Sequence, residues 1–320
     1  MRPVLRGRLL PPVCAALLVL LAVLWPVHGG APAAPRWTAQ AAARFWTPER
    51  MAGAMPALPV PGGGTVRGAG PAAGSAAPGP PDTAVPFAGV PTVGVLFSVG
   101  DDLAAHYCTA SVVHSPGRDL LLTAAHCEPG SDIGFVPQYR AGAGRQPYGI
   151  WAVGEVFTDP RWVPDDDDAS DYDVAFARVR QDRDGRRIED VTGANRLART
   201  PGYRNRVTVV GYPRLGSDPA DRAVTCTTTT ERLDERHQLR LACGGFPSGT
   251  SGSPWLLARG TSGTGGTSGA RSSSSRSGAG TVVGLIGGLD GGGPDDRISY
   301  SPLFSDAVLA LYRTATASGA

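Results

Sequence analysis

From residue 90 onward the apolar positions come in short runs rich in Val, Leu, Ile, Phe and Thr, each bounded by Gly, Pro, Asp or Asn. The runs at 92–99, 107–113, 119–124, 150–157, 173–179, 206–211, 239–242, 254–258 and 281–286 have strand length, and almost no helical period interrupts them before residue 300. Many short strands separated by turn signals predict an all-β barrel or sandwich. The tail differs. Leu303, Ala307, Ala310 and Leu311, with Phe304, Val308 and Tyr312 alongside, fit a helical stripe after Ser301-Pro302, so one amphipathic helix closes the chain. Between two of the strands, residues 259–280 are almost entirely Gly, Ser, Thr and Arg, the composition of a flexible hairpin extension. An exposed tip there is a place for self-cleavage or surface contact, with inert spacer as the default.

Upstream of residue 88 the texture is different. Arg2, Arg6 and Arg8 precede an apolar run over 9–25, followed by small residues with an A-x-A pattern at Ala31 and Ala33. That order is a secretory signal, residues 1–33, rather than a membrane anchor. The run carries Pro11 and Pro12 and is short of the roughly 20 apolar residues that a span needs. Residues 34–87 follow as a propeptide or a disordered Pro/Gly/Ala-rich segment. Trp37, Ala41 and Phe45 allow a short helix near 37–46, but the stretch 56–86 has hardly any charge and too little apolar surface to offset its ordering entropy.

Composition narrows the chemistry. The 44 glycines and 29 prolines show no Gly-X-Y period, which excludes a collagen. A net charge of +2 with no clustered basic face argues against nucleic acid. Every basic residue is Arg, so lysine Schiff-base and P-loop chemistry are excluded. Cys14 lies inside the signal, leaving Cys108, Cys127, Cys226 and Cys243, an even set that suggests two disulfides in an exported protein.

Three local motifs remain. In Leu121-Leu122-Thr123-Ala124-Ala125-His126-Cys127 a strand ends in small residues and then a histidine, which gives an imidazole the fixed place a general base requires. Taken alone, His126 reads as a core histidine. In Asp171-Tyr172-Asp173-Val174-Ala175-Phe176 an acid stands directly before an apolar strand, where it can hold an imidazole by its second nitrogen. The acidic run 165–168 just ahead of it is equally a solvated loop or a weak calcium site. In Ser248-Gly249-Thr250-Ser251-Gly252-Ser253-Pro254, glycines flanking a serine permit a tight turn with an exposed hydroxyl and convergent N–H groups.

Together, T-A-A-H-C, D-x-D-V-A and G-x-S-G-S-P, in that order, resemble the chymotrypsin-like serine peptidases, especially the bacterial secreted branch that includes the glutamyl endopeptidases. The resemblance covers about residues 88–315. It implies two antiparallel six-stranded β-barrels of the chymotrypsin type with a C-terminal α-helix, the first over 88–190 and the second over 191–320. It implies a secreted serine endopeptidase with catalytic His126, Asp173 and Ser251, Asp171 being the fallback acid, and an oxyanion hole from the N–H groups of Gly249 and Ser251. Gly245, Ser248, Ile286, Gly287 and Gly288 would bind substrate. The cysteines fit this arrangement as Cys108–Cys127, stapling the loop of the histidine, and Cys226–Cys243, closing the segment that leads to the nucleophile. The partners implied are polypeptide substrates, with no cofactor, metal or nucleic acid and no stable membrane association once the signal is removed, the protein acting as a monomer. The alternatives are a catalytically inactive protease-fold binding module and a protein tethered by a retained 9–25 segment.

The sequence departs from the family pattern at three places. Thr250 stands before the nucleophile where zymogen-type trypsins have an aspartate, which leaves activation by a freed N-terminus unsupported. Gly245, six positions before the nucleophile, is not an acid, so a preference for Arg or Lys has no direct support. Residues 282–288 lack the histidine of glutamate-specific members.

Overall fold

A computed structural model describes residues 37–57, 82–127, 130–213, 218, 220–258 and 280–317. The signal, residues 58–81 of the Pro/Gly/Ala-rich stretch and the 259–279 insert lie outside the described residues.

Residues 37–57 form two short helices and a strand. Helix α1, Ala39–Phe45, is capped by Thr38, whose Oγ1 accepts from Ala41 N, and α2, Pro48–Gly53, by Thr47, with Pro at its first position. Trp46 sits between them, fully buried, its indole packed on Phe97 and its Nε1–H donating to Asp132 O at 2.7 Å. Gly134 makes the room: a Cβ there would stand 2.5 Å from the Trp46 ring. Composition assigns these residues to a propeptide or spacer. Their packing against the first lobe rests on buried Trp46 and Met51, with Trp37 Nε1–H donating to Ile133 O, contacts that low average hydrophobicity does not register. Strand β1, Met55–Pro56, follows. After the gap come β2, Asp82–Thr83, and β3, Val85–Phe87.

The first lobe contains β4 (Val93–Val99), β5 (Ala105–Val113), β6 (Leu120–Thr123), β7 (Ser131–Pro137), β8 (Trp151–Thr158) and β9 (Ala175–Val179). They pair in the order β5-β4-β7-β8-β9-β6, and β6 returns to β5, closing a six-stranded barrel. Leu96, Val112, Leu121, Phe135, Trp151 and Ala177 fill it. Helix α3, Ile188–Thr192, and β10, Arg196–Leu197, lead into the second lobe.

That lobe contains β11 (Arg206–Gly211), β12 (Ala223–Thr229), β13 (Glu231–Arg232), β14 (Gln238–Gly244), β15 (Pro254–Leu257), β16 (Thr281–Leu285) and β17 (Ile298–Pro302). One sheet runs β10-β16-β15-β11-β12-β3, the other β13-β14-β17 with β2 on β14. The Cys226–Cys243 bridge ties β12 to β14. On the opposite side Leu285 N donates to Ser301 Oγ and Gly287 N to Tyr300 O. Val207, Val224, Leu239, Leu241, Trp255 and Val283 lie between the sheets. The second lobe is thus two facing sheets, whereas the first closes as a continuous ladder.

Helix α4, Asp306–Ala317, buries Val308, Leu311 and Ala315. It crosses back to the first lobe, where Tyr312 packs edge-on against Phe176 and its hydroxyl donates to His114 O. The helix begins later than the sequence stripe suggests, and Leu303 and Phe304 precede it. Strands β7, β12 and β17 are absent from the pattern reading. Gly134 and Pro137 interrupt β7, threonines fill β12, and β17 alternates with serine, so none reads as an apolar run.

Candidate active site

His126 lies in a single turn of 3-10 helix, Ala125–Cys127, at the end of buried β6. The Cys108–Cys127 disulfide fixes this turn to β5. Asp173 follows another 3-10 turn, Asp167–Tyr172, and precedes β9, the strand paired to β6. Two adjacent strands therefore deliver the imidazole and the carboxylate to one corner of the barrel.

The two groups meet there. His126 Nδ1–H donates to Asp173 Oδ2 at 2.7 Å, and the backbone N–H of His126 donates to Oδ1 at 2.8 Å. A third donor comes from the other lobe, Gly288 N to Oδ2 at 2.6 Å. Asp173 is completely buried, and three N–H donors offset the desolvation of its carboxylate. With the proton fixed on Nδ1, Nε2 presents its lone pair, and it is buried without a hydrogen-bond partner among the described residues. Asp171, the alternative acid, turns away: its carboxylate accepts from Gln238 Nε2 at 2.9 Å.

The serine loop belongs to the second lobe but is bolted to the first. Thr109 N on β5 donates to Ser251 O, and Thr109 Oγ1 donates to Gly249 O. A Cβ on Gly252 would stand 2.4 Å from Thr123 Oγ1 and 3.1 Å from Ala124 N, so Gly252 is seated against the end of β6 and Ser251 precedes it there, with no hydrogen bond to His126 Nε2. Gly249 has φ +94°, and a Cβ there would stand 2.4 Å from the Tyr107 ring. Thr250 N and Thr250 Oγ1 both donate to Pro247 O. This turn holds its shape through its own carbonyl, with no aspartate in it and no ion pair to it among the described residues. Among the described residues, neither Gly249 N nor Ser251 N donates to a protein acceptor.

Of the expected substrate-binding residues, Ser248 is exposed and Ile286 buried beside the serine loop, with Ile286 N donating to Ser253 O. Gly245 N donates to Asp296 O, and Ala84 packs over its α-carbon. Gly287 and Gly288 lie against the acid: a Cβ on Gly287 would stand 2.9 Å from Asp173 Oδ2. Beyond them Asp290 is held above the usual carboxylate range, first by desolvation and second by the Asp167 carboxylate, with Arg236 opposing. The acidic run is internally used, Asp166 capping the 3-10 turn and Arg236 reaching Asp167 and Asp168. Gln238 is a part of the site that sequence reasoning passes over, and Gly288, expected at the substrate, donates its amide to Asp173.

Residues 108–262 match the family model of the trypsin-like peptidase domain. No curated protein matches. Solved structures of similar fold include the protease Anisep from Arthrobacter nicotinovorans, at 22% identity and a TM-score of 0.57 over 72% of this chain and 98% of that one. They also include a thermostable serine protease, AL20, from an extremophilic microorganism, at 21% identity, TM-score 0.57, over 72% and 98%. A Glu endopeptidase in complex with MPD aligns at 16% identity, TM-score 0.52, over 74% of this chain and 97% of that one. The match over residues 108–262 is to the trypsin-like peptidase domain, and the likeness to these structures shows the chymotrypsin-type fold.

Proposed function

We propose that the protein is a secreted serine endopeptidase that hydrolyses peptide bonds through His126, Asp173 and Ser251 with an acyl-enzyme intermediate. Ser251 Oγ attacks the scissile carbonyl while His126 Nε2 takes its proton, and Asp173 holds the imidazole and stabilises the imidazolium. The tetrahedral oxyanion is held by the N–H groups of Gly249 and Ser251. Collapse breaks the C–N bond, the amine leaves with the proton from His126, and a water activated by the same nitrogen releases the acyl group. The observation that carries this reading is the fully buried Asp173 on Nδ1 of His126, which leaves Nε2 as the open base beside the serine loop.

Two disulfides suit an oxidising compartment, and among the described residues no helix is long and apolar enough to cross a membrane. The disulfides support export behind the 1–33 signal, and the chain acts as a monomer on polypeptide substrates. Removal of a propeptide within 34–87 creates no N-terminal ion pair at Thr250, since that turn is closed by Pro247 O.

The test is labelling of purified secreted protein by a fluorophosphonate, read by intact mass, for wild type, Ser251→Ala and His126→Ala. Labelling of wild type alone is expected. No labelling of any form, even after limited proteolysis of the N-terminal segment, would establish a protease-fold binding module instead. The same mass spectrum reads the mature N-terminus.

A further inference from the structure

Gln238 is a fully buried amide on β14, in the lobe opposite His126 and Asp173. Its Nε2 donates to Ser170 Oγ at 2.8 Å and to Asp171 Oδ1 at 2.9 Å, and its Oε1 accepts from Leu289 N at 3.0 Å. The amide can be oriented only this way round, because a carboxylate must face its N–H and a backbone N–H must face its oxygen. One side chain thus joins the turn that ends at Asp173 to the loop whose Gly288 N–H donates to Asp173. The fit is close: a Cβ on Gly288 would stand 2.5 Å from Gln238 Oε1.

Resting on the serine-peptidase reading, we infer that Gln238 is a positioning residue that sets the acid of the triad by clamping Asp171 and Leu289 at once. It touches neither substrate nor reacting atoms. Its two ends fix the spacing between the Asp173 turn and the Gly288 amide, so the carboxylate keeps the third donor that orients it toward His126. Direct contacts to Asp173 come from one lobe through His126 and from the other through Gly288, and Gln238 locks these two supports together. Without it, the Gly288 loop and the Asp171 turn are free to separate, and Asp173 turns away from Nδ1.

The measurement compares wild type, Gln238→Met and Asp171→Ala by peptide hydrolysis and by the downfield proton resonance of the His126–Asp173 hydrogen bond. For Gln238→Met, kcat should fall by roughly ten- to a hundredfold, the scale seen when a supporting partner of a functional group is removed. KM should stay within about twofold, since substrate contacts are untouched. The resonance should broaden or shift upfield. Asp171→Ala removes one arm of the clamp from the more exposed side and should move both readouts the same way by less, which keeps the test decisive if Gln238→Met does not fold. A folded variant with wild-type kcat and an unchanged resonance overturns the inference. The resonance is read without turnover, so a wild type that shows it but resists fluorophosphonate would defeat the peptidase reading while leaving the clamp to be judged on the resonance alone.

Discussion

Gly288 donates its backbone N–H to the same Asp173 oxygen that holds His126 Nδ1, at 2.6 Å against 2.7 Å, so one carboxylate atom joins the base of the first lobe to a loop of the second. Replacing Asp173 by Asn sets an amide among three N–H donors, of which its single oxygen can face only some, and favours the wrong tautomer of His126. Asp173→Asn should lower kcat by about 10⁴ with little change in KM, measured on a peptide substrate.

Gly249→Ala tests the serine loop. The backbone there has φ +94°, which an alanine adopts only under strain, and the new methyl would meet the Tyr107 ring. In the proposed mechanism this displaces the N–H of residue 249 from the oxyanion, and kcat should drop by roughly 10²–10³. Fluorophosphonate labelling should slow in parallel, while melting temperature shows whether the loop alone has moved.

Trp46→Ala addresses the N-terminal segment. The indole is fully buried and its Nε1–H is bonded to Asp132 O, so truncation leaves a cavity and an unpaired carbonyl. The expected loss is roughly 3–5 kcal/mol in denaturant unfolding of the chain that retains residues 37–57. An unchanged midpoint would mean that these residues contribute nothing to the stability of the first lobe.

Asp290 supplies a pH test. Its carboxyl is raised in the folded state, so folding favours the protonated form. That contribution is complete below the ordinary carboxylate value and is lost as pH rises through the folded one. Asp290→Asn removes the loss, and asparagine tolerates the left-handed φ of 53° found there. The variant should match or exceed the wild-type melting temperature at neutral pH, with the difference shrinking as pH falls through the raised folded value and gone below the ordinary 3.8.

The first barrel and the three motifs are legible because each motif sits at the end of an apolar strand, and sequence pattern registers strand ends well. Pattern prefers Asp173 to Asp171 only because it directly abuts the apolar strand, as in the family it resembles. What decides between them is the 3-10 turn Asp167–Tyr172, whose last residues carry the first carboxylate away and hand the second to His126. Gln238 is hidden for a different reason. Along β14 the inward positions are Leu239, Leu241 and Cys243, so alternation puts Gln238 with Arg240 on the outer face. It is buried because the acid turn of the other lobe covers it, a contact between residues 67 or more positions apart. Trp46 escapes similarly: its partners, Phe97 and Asp132, come from a barrel that local composition around residue 46 cannot reveal.

The chain enters the two lobes separately. Met55–Pro56 adds in parallel to β5 and Ala57 N donates to Tyr107 O, while Asp82–Thr83 and Val85–Phe87 add to β14 and β12. A break anywhere between Ala57 and Asp82 therefore yields a two-chain molecule rather than a freed fragment. The short chain would stay bound through Trp46 and the β5 edge, its release would follow dilution and temperature as in any bimolecular complex, and a single band on a native gel would coexist with two on a denaturing one.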